Sequence, residues 1–246
     1  MNITQKKFIA LFLLLASQGC TSSVGHDNIN NNTVTWSTGF TLSNLLISPI
    51  TLNSINDIPN LITANWYGSF TVKNKNNDVI NIDSCQDYLE RKPLTTVNYY
   101  DINPFLNITV MCEAAKYLID AKPSQVTYLP TSPLDKALPL ALPKEIALQT
   151  STNEYKRTMD DESLTFWGEI RPIIRFESIS ESKAIYHFDG GYQEIDIVGR
   201  GDVNHDKVED LIVVIRDSLE GGSYFNLRLF ILSFNKNREW SVIEEI

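Results

Sequence analysis

With only three cysteines, three histidines and no hydrophobic run long enough to cross a bilayer, this 246-residue chain carries few of the usual marks of function. The apolar stretch at residues 8–16 falls well short of the roughly 20 residues that a membrane-spanning helix needs. Lysine and arginine form no cluster, and the net charge is -9 at pH 7. Nucleic-acid binding is therefore not expected, because it depends on cations that neutralise phosphates. Neither a G-x-S-x-G nor an H-E-x-x-H pattern occurs, so the chain lacks a nucleophile elbow and a zinc-protease helix. What is present is an ordinary globular composition, 43% hydrophobic, enough to bury the core of one composite domain.

The N-terminus has the order of a secretory signal: Lys6 and Lys7, the apolar run, then Ser17, Gln18 and Gly19 before Cys20. This segment resembles a bacterial lipoprotein signal, although Ser17 stands where that family usually has leucine. The resemblance implies removal of residues 1–19, lipidation of Cys20 and anchoring to the membrane through the lipid. Thr21, rather than aspartate, after the cysteine resembles the pattern that sorts such proteins to the outer membrane, facing the periplasm. Ser17 and Gly19 also suit ordinary cleavage at the same bond, which leaves a soluble periplasmic or secreted protein as the alternative. Cysteine arithmetic bears on the choice. Outside the cytoplasm Cys85 and Cys112 pair, and Cys20 is left odd, which lipidation explains. Two buried free thiols are the alternative to the Cys85–Cys112 bond. Several acyl chains, each contributing about 0.8 kcal/mol per buried methylene, hold far more firmly than one.

Residues 20–33 are polar and asparagine-rich and read as a lipidated, flexible tether, with His26 as a solvent-exposed side chain within it. Residues 34–246 read as an α+β domain: a hairpin and helices over 34–128, a proline-rich and polar connection over 129–165, and an antiparallel β-region over 166–246. The spacing predicts a hairpin of residues 64–72 and 79–82 around Asn74 to Asp78, and a short helix over 85–91 capped by Ser84 and stopped by Pro93. Asn103 and Pro104 predict the start of a longer helix over 103–121, with Phe105, Ile108, Cys112, Ala115 and Ile119 on its core face. Pro123, Pro130, Pro133, Pro139 and Pro143 break any regular pattern, the stretch at 151–163 is strongly polar, and together they read as one long solvated connector. Strands are expected at 173–179, 184–188, 192–198, 211–216, 224–234 and 240–243, with Asp189-Gly190 as a tight turn. Leu211 to Ile215 are apolar on both faces, which predicts a central strand covered on both sides. The expectation is a largely antiparallel C-terminal meander with the helical N-terminal half packed on it.

Asp202-Val203-Asn204-His205-Asp206-Lys207-Val208-Glu209-Asp210 places oxygen donors on alternate residues. Calcium takes six to eight hard oxygens, and Asp202, Asn204, Asp206, the Val208 carbonyl and Asp210 fit successive ligand positions. An EF-hand needs glutamate at position 12 and flanking helices; here Val213 holds that position and strands flank the loop. The segment instead resembles the calcium loop of FG-GAP repeats and, with the following Gly221-Gly222-Ser223-Tyr224, the end of uncharacterised bacterial lipoproteins that carry one degenerate repeat. That resemblance implies a structural metal and no reaction. The family usually has glycine where this chain has Lys207, a position at which the backbone turns at positive φ. A polar turn whose aspartates accept backbone amides is the alternative to a metal site.

Arg200-Gly201-Asp202 spells an adhesion tripeptide, but Asp202 is committed to the loop. His187 and His205 lack a nucleophilic partner at a recognisable spacing. The sequence thus points to a non-enzymatic envelope lipoprotein, a calcium-stabilised binding or structural module for an unknown envelope protein or glycan. One alternative is an envelope hydrolase acting on peptidoglycan or polysaccharide, with Asp160, Asp161, Glu162 and Glu169 as the source of acid and base. The other is a periplasmic enzyme inhibitor.

Overall fold

The computed structural model describes residues 29–37, 45–222 and 224–246. The expected signal at residues 1–19, Cys20 and His26 lie outside the described residues.

Two short strands come first, β1 (Ile29–Asn32) and β2 (Thr35–Trp36), followed by helix α1 (Ile58–Thr63). Strands β3 (Asn65–Lys73) and β4 (Val79–Ser84) form the expected hairpin. Its turn is organised by Asn74, whose side-chain oxygen accepts the amides of Asn76 and Asp78, while Asn77 takes the left-handed conformation that asparagine tolerates. Helix α2 (Cys85–Arg91) starts where Ser84 Oγ accepts the Asp87 amide at 3.1 Å. Strand β5 (Thr95–Thr96) adds to β3 on the side away from β4.

Helix α3 (Ile102–Asp120) begins one residue before Asn103 and continues directly from a 3-10 turn over Tyr99–Asp101. Asn98, not Asn103, supplies the capping oxygen, accepting the Tyr100 amide at 3.0 Å. Phe105, Ile108, Cys112 and Ala115 are buried as the spacing predicts, but Ile119 is 37% exposed and its neighbour Leu118 is buried instead. The helix is buried on more than one side because it lies between the C-terminal sheet and the α1–α2 layer. One charge is buried with it: Glu113 accepts the Tyr88 hydroxyl at 2.8 Å and the Lys92 ammonium at 2.7 Å, partners that a buried carboxylate requires.

Three expectations for the connecting segments are corrected. Part of the supposed tether, β1, is a strand that pairs antiparallel with β6 (Ser124–Val126). The polar stretch after residue 150 is a helix, α4 (Thr152–Asp160), capped by Ser151 Oγ on the Glu154 amide. The proline-rich segment is not a solvated connector: Leu134, Leu138, Leu142, Ile146, Ala147 and Leu148 are buried, as is Trp167 of the short helix α5 (Trp167–Ile170).

The C-terminal third is an antiparallel meander: β7 (Ile173–Ser178), β8 (Lys183–Phe188), β9 (Gly191–Gly201), β10 (Asp210–Leu219), β11 (Phe225–Phe234) and β12 (Trp240–Glu245), each paired with the next. β2 extends the sheet by pairing with the end of β9. The fold class is α+β, as expected. Asp189-Gly190 joins β8 to β9, with Gly190 at φ 82°.

β10 is central and covered on both faces. Ile212 packs with α3 in one core, and Leu211, Val213 and Ile215 pack under the proline-rich segment in the other. β11 does the same, with Leu229 and Ile231 on the α3 side and Phe230 and Leu232 opposite. Helix α3 approaches closely at Gly199, where an added Cβ would sit 2.7 Å from Leu118 Cδ2. The proline-rich segment forms only two short 3-10 turns, over Leu138–Leu140 and Lys144–Ile146, and the sheet satisfies carbonyls that these turns leave over. Arg228 donates to the carbonyls of Glu145 and Ile146, Gln193 Nε2 donates to Ile146, and the Tyr186 hydroxyl donates to Asp135.

Candidate metal centre

The ladder from Asp202 to Asp210 is the connection between β9 and β10, closed where Gly201 pairs with Asp210. Its strands belong to the most buried part of the sheet, so the loop is held at both ends by the core. Asp202 is 4% exposed and Asp210 is fully buried, whereas Asn204 and Asp206 are exposed at the rim. The loop turns through two left-handed residues, His205 at φ 66° and Lys207 at φ 75°. The expected positive φ at Lys207 is therefore present, at a cost of about 1 kcal/mol for a side-chain-bearing residue.

Hydrogen bonds within the loop occupy many of the ligand oxygens. Lys207 N donates to Asp202 Oδ2 at 3.0 Å, Asp206 N to Asn204 Oδ1 at 3.0 Å, and Val208 N to Asp206 Oδ1 at 2.8 Å. Val203 N donates to Asp210 Oδ2 at 3.0 Å, and Asn204 Nδ2 to Asp206 Oδ2 at 3.1 Å. These are the bonds of a polar turn. They leave two oxygens over: among the described residues Asp202 Oδ1 and Asp210 Oδ1 are buried and accept no hydrogen bond of ordinary length. The Val208 carbonyl likewise accepts no backbone hydrogen bond among the described residues.

A buried carboxylate oxygen without a donor costs more than the roughly 1 to 3 kcal/mol of a neutral orphan. The electrostatics carry the same sign. Burial pushes the Asp210 carboxyl up to about 6, against the pull of the Ser233 hydroxyl opposite it and of the Val203 and Asn204 amides. A hard cation bound by Asp202 and Asp210 would satisfy both free oxygens and remove that penalty. The donor set, three aspartates, one asparagine and a carbonyl, suits calcium rather than a softer metal. Among the described residues no group of three or more His, Cys, Asp or Glu side chains gathers as a metal cluster. The inner pair already sits in the buried floor, and the rim residues Asn204 and Asp206 are turned into the loop's own hydrogen bonds, which they would exchange for an ion.

A second wall of this site comes from a part of the chain that sequence patterns did not connect with it. The segment from the end of α3 through β6 lies along the loop. Lys122 and Asp202 exchange amide-to-carbonyl hydrogen bonds, both 2.9 Å, and the amides of Gln125 and Val126 donate to the Lys207 carbonyl at 2.9 and 3.1 Å. Within this segment Ser124 is wholly buried and its hydroxyl has no partner among the described residues. No local signal in the sequence could place it there, because the pairing spans about 80 residues.

The other expected positions divide clearly. Cys85 and Cys112 are joined in a disulfide with a Cα separation of 5.2 Å, tying α2 to the middle of α3. The four acids are spread over the end of α4, the turn after it and α5. Glu169 accepts the amides of Thr165 and Phe166 at the start of α5, and these amides hold its carboxyl below the usual range. Asp161 accepts the Ser163 hydroxyl and amide and is lowered by them; Asp160 and Glu162 are exposed. His187 lies between Glu177 and Arg175 on β8, its ring held below the usual histidine value by burial and by Arg175. His205 Nε2 lies 3.1 Å from the Asp120 carbonyl and so acts as the donor. The Arg200-Gly201-Asp202 tripeptide is the end of β9 with its aspartate buried. A cleft of about 530 Å³, which the sequence did not single out, is lined by Tyr99, Tyr100, Ile102, Asn103, Tyr224 and Phe225. Tyr99 and Tyr100 are among the most exposed large side chains described.

A scan against protein-family models and searches of the curated proteins and the solved structures return no match to this chain.

Proposed function

We propose that the protein is an envelope lipoprotein, held to the outer membrane through Cys20, whose α+β domain is a non-enzymatic binding or structural module fastened by calcium at Asp202, Asn204, Asp206, the Val208 carbonyl and Asp210. One observation carries the metal half of the proposal: two buried, unpartnered carboxylate oxygens, Asp202 Oδ1 and Asp210 Oδ1, on one loop. Calcium, when bound, supplies the charge that these oxygens lack. The chain's residues do the rest, with the two inner aspartates set by the strand ends and the rim residues exchanging their loop hydrogen bonds for the ion. Because both cores flank the strands that carry the loop, the ion would stiffen the sheet without taking part in a reaction.

The envelope half is supported by the signal-like N-terminus and by the Cys85–Cys112 bond, which suits an oxidising compartment. The partner is an envelope protein or glycan, and the exposed rings of Tyr99 and Tyr100 offer stacking surface to either. The hydrolase alternative needs one carboxyl raised to act as an acid. Asp161 and Glu169 are instead held low by the amides they accept.

Thermal melting in millimolar calcium and in EDTA tests the metal. A ligand at 100 times its Kd stabilises by about 2.7 kcal/mol, so a clear rise in melting temperature is expected with calcium and none with Asp210→Asn. Identical melting curves in both conditions would dismiss the metal. Mass spectrometry of the protein from membranes tests the anchor; an unmodified Cys20 would remove it.

A further inference from the structure

We infer that calcium in the Asp202–Asp210 loop works as a clamp on the N-terminal segment: occupancy locks β6, and through it β1, against the main sheet. This rests on the calcium site proposed above and adds what that site controls.

β6 is not a member of the main sheet. Its described strand partner is β1, and the pair is held to the body through the metal loop. The loop grips the segment at both ends. Asp202 and Lys122 bond reciprocally at one end; at the other, the Lys207 carbonyl takes the amides of Gln125 and Val126, and Glu209 N donates to the Val126 carbonyl at 2.9 Å. His205 adds a bond to Asp120 at the end of α3. Five of these six bonds come from residues that must stay folded around the ion: Asp202 is a ligand, and Lys207 and His205 are the two left-handed residues that close the turn. Val34, just after β1, packs on the same place, since a Cβ at Gly201 would lie 3.2 Å from Val34 Cγ2 and 3.3 Å from Ala121 Cβ.

Without an ion the loop carries two orphan carboxylate oxygens and two strained residues, so it is the part of this assembly that opens at least cost. Opening it breaks the bonds to Lys122, Gln125 and Val126 and leaves β1 paired with a strand that is itself unsupported. An ion that binds the closed loop alone opposes this opening by mass action.

Hydrogen exchange on the full chain, with terbium luminescence or calorimetry on the same sample to report binding, tests the clamp. At free calcium 100 times Kd, exchange of the amides of residues 29–32, Gln125 and Val126 should slow by up to about 100-fold, while the β3–β4 hairpin is unchanged. Asp206→Ala removes an exposed rim ligand without emptying the buried floor, and should abolish the slowing. If calcium binds and protection rises only within residues 202–210, the clamp is wrong and the calcium site stands. If neither calcium nor terbium binds, both are wrong.

Discussion

Replacing Cys85 and Cys112 by alanine removes the one covalent crosslink among the described residues, and its cost follows from the fold. The two cysteines are 27 residues apart in sequence. Closing a loop of that length in the unfolded chain is worth about 3.6 kcal/mol on the chain-entropy model. Both side chains are fully buried in the α3 core, so the double variant also loses packing there and the figure is a lower bound. A domain of roughly 210 residues has an unfolding entropy near 0.45 kcal/mol/K, so 3.6 kcal/mol corresponds to a fall of about 8 °C in melting temperature. The assay is calorimetry or circular dichroism on oxidised wild type and on Cys85→Ala/Cys112→Ala, each in calcium and in EDTA. The bridge and the metal loop share no hydrogen-bonding partner, so the calcium-dependent shift should be the same in both proteins. A double variant melting within about 3 °C of wild type would refute the loop-entropy account. A calcium shift that vanishes in the variant would refute the independence of the two fasteners.

Lys207→Gly should raise stability by about 1 kcal/mol in urea titrations, because Lys207 occupies φ 75°, where glycine is unstrained. Arg228→Met should cost about 3 to 5 kcal/mol by the same measurement. It leaves the Asp217 carboxylate, 1% exposed, with Gln193 alone, and frees the carbonyls of the proline-rich segment. In EDTA, stability should fall as pH rises through about 6. The Asp210 carboxyl is raised above its unfolded value, so the protonated form favours the folded state, an advantage complete below about pH 4 and lost above 6, worth roughly 2 to 3 kcal/mol. Asp217 and Asp196 are raised by burial and tilt the background the same way, so the test is the difference between wild type and Asp210→Asn, which should lose its pH dependence near 6. A profile identical in the two proteins counts against a buried, unpaired Asp210.

The C-terminal meander was legible because its strands alternate or run apolar between turn residues that have one favoured geometry, such as Asp189-Gly190. Ser84 and Asn74 likewise act on amides within a few residues, so their roles can be read locally. What escaped depends on distant partners. The apolar residues from Leu134 to Leu148 have no sustained period because they form only two short 3-10 turns, and the Ile146 carbonyl is satisfied by Arg228 and Gln193 on the distant sheet. β1 is polar and forms only because β6, nearly 100 residues later, offers an edge. α4 could have been found. Ser151 and Glu154 have capping-box spacing, and Glu154 reaches back to the Thr150 amide, but the helix is too polar for an apolar stripe to mark it. At the candidate site the donor spacing and the strain at Lys207 were visible in the sequence. The orphaned oxygens and the wall from Lys122 to Val126 were not, since they arise only when the strands pair.

The pairing of β1 with β6 also sets a length. If Cys20 is fixed in a membrane, a docked β1 leaves nine residue steps to Ile29, a leash of at most about 32 Å. With β1 released the leash runs to Thr35, fifteen steps and about 54 Å. Calcium at the far end of the chain would then act as a ratchet on the leash, drawing the domain some 20 Å closer to the membrane and shrinking the shell of envelope it can search.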